Sequence, residues 1–501
     1  MPAVATGIGA AWGGISALWG TVIVGSVTVG SLATTVALTG GSYLIQKAMA
    51  KKARQSGMNS EMDKQTVQQA LPNARLVYGR ALVSGPLFFF ERRGNWLYQG
   101  IVLANHEIAA VDEIRMGDKT VTFDGSGAAT STPFFDGATR YLYASVRLGT
   151  DDQAIDPILA ADFPELPATF RQRGRATAVL KMYQPLSIGT ELNRSLYGNS
   201  GQPAPLFLVS GAKVFDPRDP GQSASNKSTW KWSENPSLIL ADYLTRPSVD
   251  GCGGFSWSQI SMSTLMEAAH RDDDLIPLKA GGTEKRYTLN GTVTLDGTAW
   301  SEVASRLLTS NMGQLVTSGG EFKIYSGVAR APCWTLNDNS ARGTINARLR
   351  QAQNELVNIV TTSFVSSERG DQVQEGPILR REDFIAADGA ELPLSIELPF
   401  TRTHTTAQRI ARATMLQARA ARSMSRTEDH AALLLDAADV VNVESSFVGL
   451  AEGTYSISSI MTSDNPLEFS VELSGYDPQQ FDWSPATDEQ DFTINPVATE
   501  E

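Results

Sequence analysis

The chain has 501 residues, 42% hydrophobic and 19% charged, which is material for about two to four domains with sizeable cores. A net charge of −12 argues against a surface built mainly to grip nucleic acid, although a local basic lumen can sit inside an acidic total. Two cysteines without a C-x-x-C, Cys252 and Cys333, and four histidines leave a disulfide framework, a zinc site and histidine-based acid–base chemistry unsupported, and fit folding in a reducing cytoplasm.

Met1 to Gln46 contains no charged residue, and Lys47, Lys51, Lys52 and Arg54 follow it. The stretch is long enough to cross a bilayer, which takes roughly 20 apolar residues. It lacks the positive leading region of a secretion signal, and Gly13-Gly14 and Gly40-Gly41 interrupt it. Three readings stay open: insertion in a host membrane, a small-residue helical hairpin packed inside an assembly, or a segment ordered by a partner. Trp12, Trp19, Val22, Ile23 and Val24 are the candidate membrane or lumen residues. The expected organisation is a charge-free segment over 1–54 and a polar linker over 55–72.

From Ala74 the pattern changes to short β-rich runs, ARLVYGRALVSGPLFFFE and WLYQGIVLANHEIAAVDEI, punctuated by Gly, Pro and Asn. This predicts a β-barrel domain over 73–232, with a looped insertion at about 124–170. Next, SENPSLILADYLTRP predicts a helix capped by Ser233 and ended by Pro247. ISMSTLMEAAHR and WSEVASRLLTSNMG predict two more helices, KRYTLNGTVTLDG a strand, and QLVTSGGEFKIYSG a hairpin turning at Gly319-Gly320. Together these form an α/β unit over 233–330. NELVNIVTTSFVSS is a long alternating strand. The helix of TRTHTTAQRIARATMLQARAARS turns Ile410, Ala413, Met415 and Leu416 inward. Three strands of a second barrel follow, within 331–483. The stretch 484–501 is acidic and expected to be flexible. The fold class is thus mainly β with an α/β insertion.

Several residues invite sharper readings. His270-Arg271-Asp272-Asp273-Asp274 offers oxygens to a hard cation, but without further ligand spacing it reads as an acidic helix-end loop. Asp216, Asp219 and Asp242 mimic a glycosidase carboxylate pair, yet turn chemistry and helix solvation explain them. Cys252, in DGCGGF, reads as a loop cysteine. No compact catalytic unit is visible, so no enzyme activity and no cofactor are expected. Leu87, Phe88, Phe89 and Phe90 place three aromatics in a row, which a strand with one buried face cannot hide. Burial on both faces, or one face at a subunit interface, would resolve this, and the interface is the favoured reading. Trp230 and Trp232 flank a polar loop and serve equally as interface anchors or core.

The order of these blocks resembles bacteriophage tail tip, or central hub, proteins of the lambda type. YGRALVSGPLFFFE with WLYQGIVLANHEIAAVDEI resembles the family's opening barrel, and SENPSLILADYLTRP its signature helix. YTLNGTVTLDGTAWSEVASRLLTSNMGQLVTSGGEFKIYSG, then NELVNIVTTSF and the helix at 406–422, are similar to its next blocks in the same order. The resemblance spans residues 73–475 and rests on order rather than on one diagnostic motif. The family continues into fibronectin-like modules and a fibre, which this sequence lacks, so the hub role is expected and receptor recognition is not.

The resemblance implies a homotrimer. Two tube-like barrels per protomer would make a pseudo-sixfold ring, with the α/β unit peripheral, matching a sixfold tail tube to a threefold tip. Closed rings of heterologous contacts remove free strand edges. Implied partners are the distal tail protein and tail tube, the tape-measure protein, a tail fibre or receptor-binding protein, and DNA as a transient passenger, with the host membrane added under the inserting reading of the N-terminal segment. The implied location is the virion tail tip, assembled in the host cytoplasm. A membrane-inserting DNA-delivery protein, or the hub of a gene transfer agent or tailocin, are the alternatives.

Overall fold

The computed structural model of the protein describes residues 73–492, with breaks at 186–190, 199–204, 349–351, 421, 447–451, 463–464 and 466, together with Val22–Val24. The chain is mainly β, and its longer helices lie between β units.

Two antiparallel sheets pack face to face in the first unit. One runs in the order Leu87–Arg93, Trp96–Ala104, Ala176–Tyr183, Leu142–Arg147. The other centres on Pro205–Val214, paired with Ile108–Met116 on one side and with Arg80–Val83 and Lys231–Trp232 on the other. The chain from 80 to 93 passes from one sheet to the other at a corner. Ile101, Leu103, Leu142, Leu180 and Phe207 fill the space between the sheets. The segment expected as a looped insertion supplies an edge strand, Leu142–Arg147, and a short helix, Pro157–Asp162. That strand shows no alternation of burial, because five of its six side chains are half-buried, so the period-2 signal is weak.

Strand Ala74–Tyr78 pairs with Gly291–Leu295 of the α/β unit rather than with the sheets that follow it. Its side chains alternate between two cores. Leu76 and Tyr78 enter the core of the helical unit, and Val77 enters the core of the first β unit. The expected boundary at 233 is therefore crossed by a strand of period 2 that belongs to both sides.

The α/β unit holds helices Pro236–Thr245, Met262–Asp272 and Trp300–Leu308. Asn235, not Ser233, caps the first: its Oδ1 accepts from Leu238 N at 3.2 Å, while Ser233 Oγ accepts from Asn235 N. Residues 236–244 are buried on every face, so this is a core helix. The hairpin Gln314–Ser318/Glu321–Tyr325 turns at Gly319 and Gly320, both at positive φ, as a two-residue turn of this hand requires.

The span 331–483, expected as one barrel, carries two cores. Strand Ile359–Ser366 sits in a four-stranded sheet, with Pro393–Leu398 parallel beside it and helix His404–Ala420 packed on it. This piece is inserted between the strands of a separate six-stranded sheet in the order Trp334–Leu336, Val440–Val443, Gly453–Thr462, Phe469–Gly475, Ser423–Glu428, Ala341–Arg348. The first and last of these strands are consecutive in sequence, so the sheet curls back on itself around Val441, Tyr455, Ile457 and Leu473. The stretch DHAALLLDAADVVNVE, part of the expected second barrel, forms a 3-10 turn, His430–Leu434, before its strand begins at Val440.

Through residue 492 the acidic C-terminal stretch is anchored, contrary to the expected flexibility from Ser484. Gln490 bonds with Gln408, Lys279 with Glu489 and Asp491, and Phe492 packs against Phe364. Residues 493–501 lie outside the described residues.

Candidate assembly surfaces

The three consecutive phenylalanines are accommodated by a bulge. Leu87 faces Ile101 and Phe89 faces Gly100, so Phe88 is an extra residue on this strand. The bulge lets Phe88 and Phe89 share the outer face of the sheet, while Leu87 packs on the inner core. Gly100 makes room: a Cβ there would meet Phe88 Cζ at 2.7 Å. The outer aromatic face is covered by the chain's own loop. Phe88 lies 5.9 Å from Phe170, and Phe89 lies 4.9 Å edge-on from Phe163. Asp156 fixes that loop by capping its helix, accepting from Ile158 N at 2.9 Å. Phe90, opposite Gln99, turns to the other face and is 52% exposed. Of the run expected at an interface, only Phe90 is therefore left for a partner in this chain.

Trp230 is buried in a cluster with Phe215 and Trp257, and its indole N–H donates to Ser223 O. Trp232 donates to Gly79 O at 3.0 Å, with Arg80 over its ring. Both serve packing within the chain. Val22–Val24 form a third strand on the hairpin of the α/β unit, antiparallel to Gln314–Val316. Trp12 and Trp19 lie outside the described residues. No described helix is long and apolar enough to cross a membrane.

The acidic candidates are each taken up by neighbours. Asp216 and Asp273 share Arg218, Asp219 pairs with Lys231, and Asp242 accepts from Tyr78 Oη at 2.8 Å and Arg246 Nε at 2.6 Å. Asp272 is not part of an exposed loop. It is fully buried and receives Ser237 N and Oγ, Asn311 Nδ2 and Ser326 Oγ, and burial pushes its carboxyl up to about 6. Among the described residues no cluster of His, Cys, Asp and Glu could hold a metal ion. Cys252 is buried, which raises its thiol to about 11 and makes it a poor nucleophile.

Sequence reasoning did not single out the six-stranded unit as a surface. Its edge strand, Ala341–Arg348, pairs on one side with Ser423–Glu428, and six of its eight residues are exposed. Elsewhere in the same unit Trp334, Leu433, Leu434, Met461 and Leu467 are large exposed hydrophobics. A strand edge unpaired among the described residues is a template for another chain. The LLL run at 433–435 was the only available signal, and it reads as strand.

No protein-family model and no curated protein matches the chain. Among solved structures, it is similar to a chain of the virion of a native gene transfer agent particle, with a TM-score of 0.55 and 19% identity, over 85% of this chain and 89% of that one. At this identity the likeness is one of fold. Weaker likenesses are to the 43 kDa tail protein of prophage MuSo2 from Shewanella oneidensis (12% identity, 82% of this chain and 96% of that one, TM-score 0.30) and to a tail protein from Neisseria meningitidis MC58 (11%, 82% and 98%, 0.32). Their TM-scores are too low to bear on the argument.

Proposed function

We propose that this chain is a structural component of a phage tail or phage-derived particle, and that it forms the hub at the tail's distal end. The observation that carries this reading is the fold shared along most of both chains with a component of a gene transfer agent virion. The block order in the sequence supports the finer placement. In this reading three copies close into a ring that joins the sixfold tube to a threefold tip, around a channel for DNA and the end of the tape-measure protein. The distal tail protein lies above and a fibre or receptor-binding protein below. The exposed edge and apolar residues of the six-stranded unit are the surfaces such a ring uses.

No chemical step is assigned to the chain, and a cleared band on a peptidoglycan zymogram would reject that part of the reading. The hub assignment is tested by the mass of the full-length protein in solution and on isolated tail tubes, repeated without residues 1–54. Three copies in both forms support a hub whose ring is built by the β units. A monomer in solution that also fails to join tail tubes as three copies removes the assignment. Three copies only with residues 1–54 present would move ring formation to the N-terminal segment.

A further inference from the structure

A cavity of about 490 Å3 lies in the seam between the first β unit and the α/β unit. One wall is the turn of Arg173, Gly174 and Arg175; the other carries Arg246, Asp250 and Leu295. Three arginines thus line one space against a single carboxylate. Arg173 and Arg175 are exposed, and their side chains make no hydrogen bond or ion pair among the described residues. Arg246, which lines the cavity, is held with Nε on Asp242 and its guanidinium 5.7 Å from the Tyr78 ring centroid, and its two terminal nitrogens have no hydrogen bond among the described residues.

The arginine turn is ordered in advance. Gln172 and Gly174 take left-handed conformations, at φ 48° and 70°. Under them the buried Gln153 amide nitrogen reaches the carbonyl oxygens of Arg171 (2.9 Å), Gln172 (2.6 Å) and Arg175 (3.2 Å), and its oxygen accepts from Gly149 N. The buried amide fixes the backbone from which both arginines project, so binding has only their side chains left to order. At the rim Val249 is 91% exposed, beside Leu295. Cationic walls with an aliphatic rim fit a ligand that pairs carboxylates with an aliphatic side chain.

We propose that this cavity is the docking site for an acidic peptide segment of a partner polypeptide, whose carboxylates are taken by Arg173, Arg175 and Arg246 and whose aliphatic neighbour lies on Val249. The planar guanidinium fork matches a carboxylate in two parallel hydrogen bonds. A nucleic-acid backbone is the poorer fit. It needs a continuing basic track, whereas Asp250 lines this cavity, Asp152 lies near Arg173, and the chain carries a net charge of −12. This inference stands apart from the hub reading.

The test is fluorescence anisotropy of the full-length protein with a labelled peptide of about eight alternating Glu and Leu residues, at roughly 0.05 M and 0.5 M salt. Saturable binding is expected, weakened at least about tenfold by Arg173→Glu with Arg175→Glu and by the higher salt, and a few-fold by Val249→Ser. Because Arg173 and Arg175 are exposed, the double variant should melt with the wild type, which separates lost docking from lost fold. Absence of saturable binding, equal binding by the double variant, or a single-stranded oligonucleotide of equal charge outcompeting the peptide at the same site would each overturn the proposal.

Discussion

The first β unit and the six-stranded unit solve the same problem in opposite ways. The first covers its aromatic outer face with its own loop, so Phe88 and Phe89 meet Phe163 and Phe170 rather than solvent. The six-stranded unit leaves an eight-residue edge strand mostly exposed and Leu433 and Leu434 more than half exposed, and buries charge instead: Arg426 and Glu428 pair inside the curled sheet with almost no exposure. A surface finished by its own chain needs no partner, whereas an unfinished edge does. Aromatic content alone therefore does not distinguish a face covered by its own chain from one left exposed, and of the phenylalanine run it is Phe90 that stays exposed.

The largest expected effect breaks the buried charge. Met424, Arg426 and Glu428 alternate inward along one strand, and Arg426 also donates to Asn337 O at 2.7 Å. Arg426→Leu leaves Glu428 buried without its partner and should cost about 3–5 kcal/mol in urea unfolding. Arg426→Met combined with Glu428→Leu should return most of that loss. A double variant as unstable as the sum of the singles would show that the pair is not the cause. Burial holds the Glu428 carboxyl above the ordinary carboxylate range. The native state thus keeps this proton to a higher pH than the unfolded chain does. Its contribution is present below the unfolded pKa and is lost as pH rises through the folded one. The double variant should lack that share of the pH dependence.

A middle-sized effect separates fold from assembly. Phe89→Ala removes a ring from the covered cluster and should cost about 2 kcal/mol without changing the mass of any assembly. Leu433→Glu with Leu434→Glu should change stability by less than about 0.5 kcal/mol, since both are exposed, yet reduce the assembled fraction on tail tubes. Full assembly by that variant would remove these two residues from the interface.

Much of this architecture is legible from local pattern. Helices at Pro236–Thr245, Met262–Asp272, Trp300–Leu308 and His404–Ala420 lie where apolar spacing puts them, and the Gly319-Gly320 hairpin is where turn chemistry puts it. What pattern does not carry is partnership across long separations. Ala341–Arg348 pairs with Ser423–Glu428 across an inserted unit that has its own core, and Ala74–Tyr78 pairs with Gly291–Leu295. Hydrophobic alternation fixes which face a strand buries, not which strand it meets. The arginine turn at 171–175 was silent for a related reason: only the fold brings Arg246 to face it.

The smallest expected change in stability makes the sharpest comparison. Phe88, Phe89 and Phe90 are identical side chains on consecutive residues, and one bulge divides them between a covered face and solvent. Phe90→Glu should leave unfolding within about 0.5 kcal/mol of wild type, whereas the same change at the half-buried Phe89 puts a carboxylate against the Phe163 ring and should cost about 2–3 kcal/mol. If Phe90 lies on a subunit contact, its variant remains a folded chain that joins tail tubes poorly. If it assembles as well as wild type, the Phe90 face of the first unit is not a subunit contact, and the exposed edge strand and apolar residues of the six-stranded unit remain the surface to which the ring is assigned.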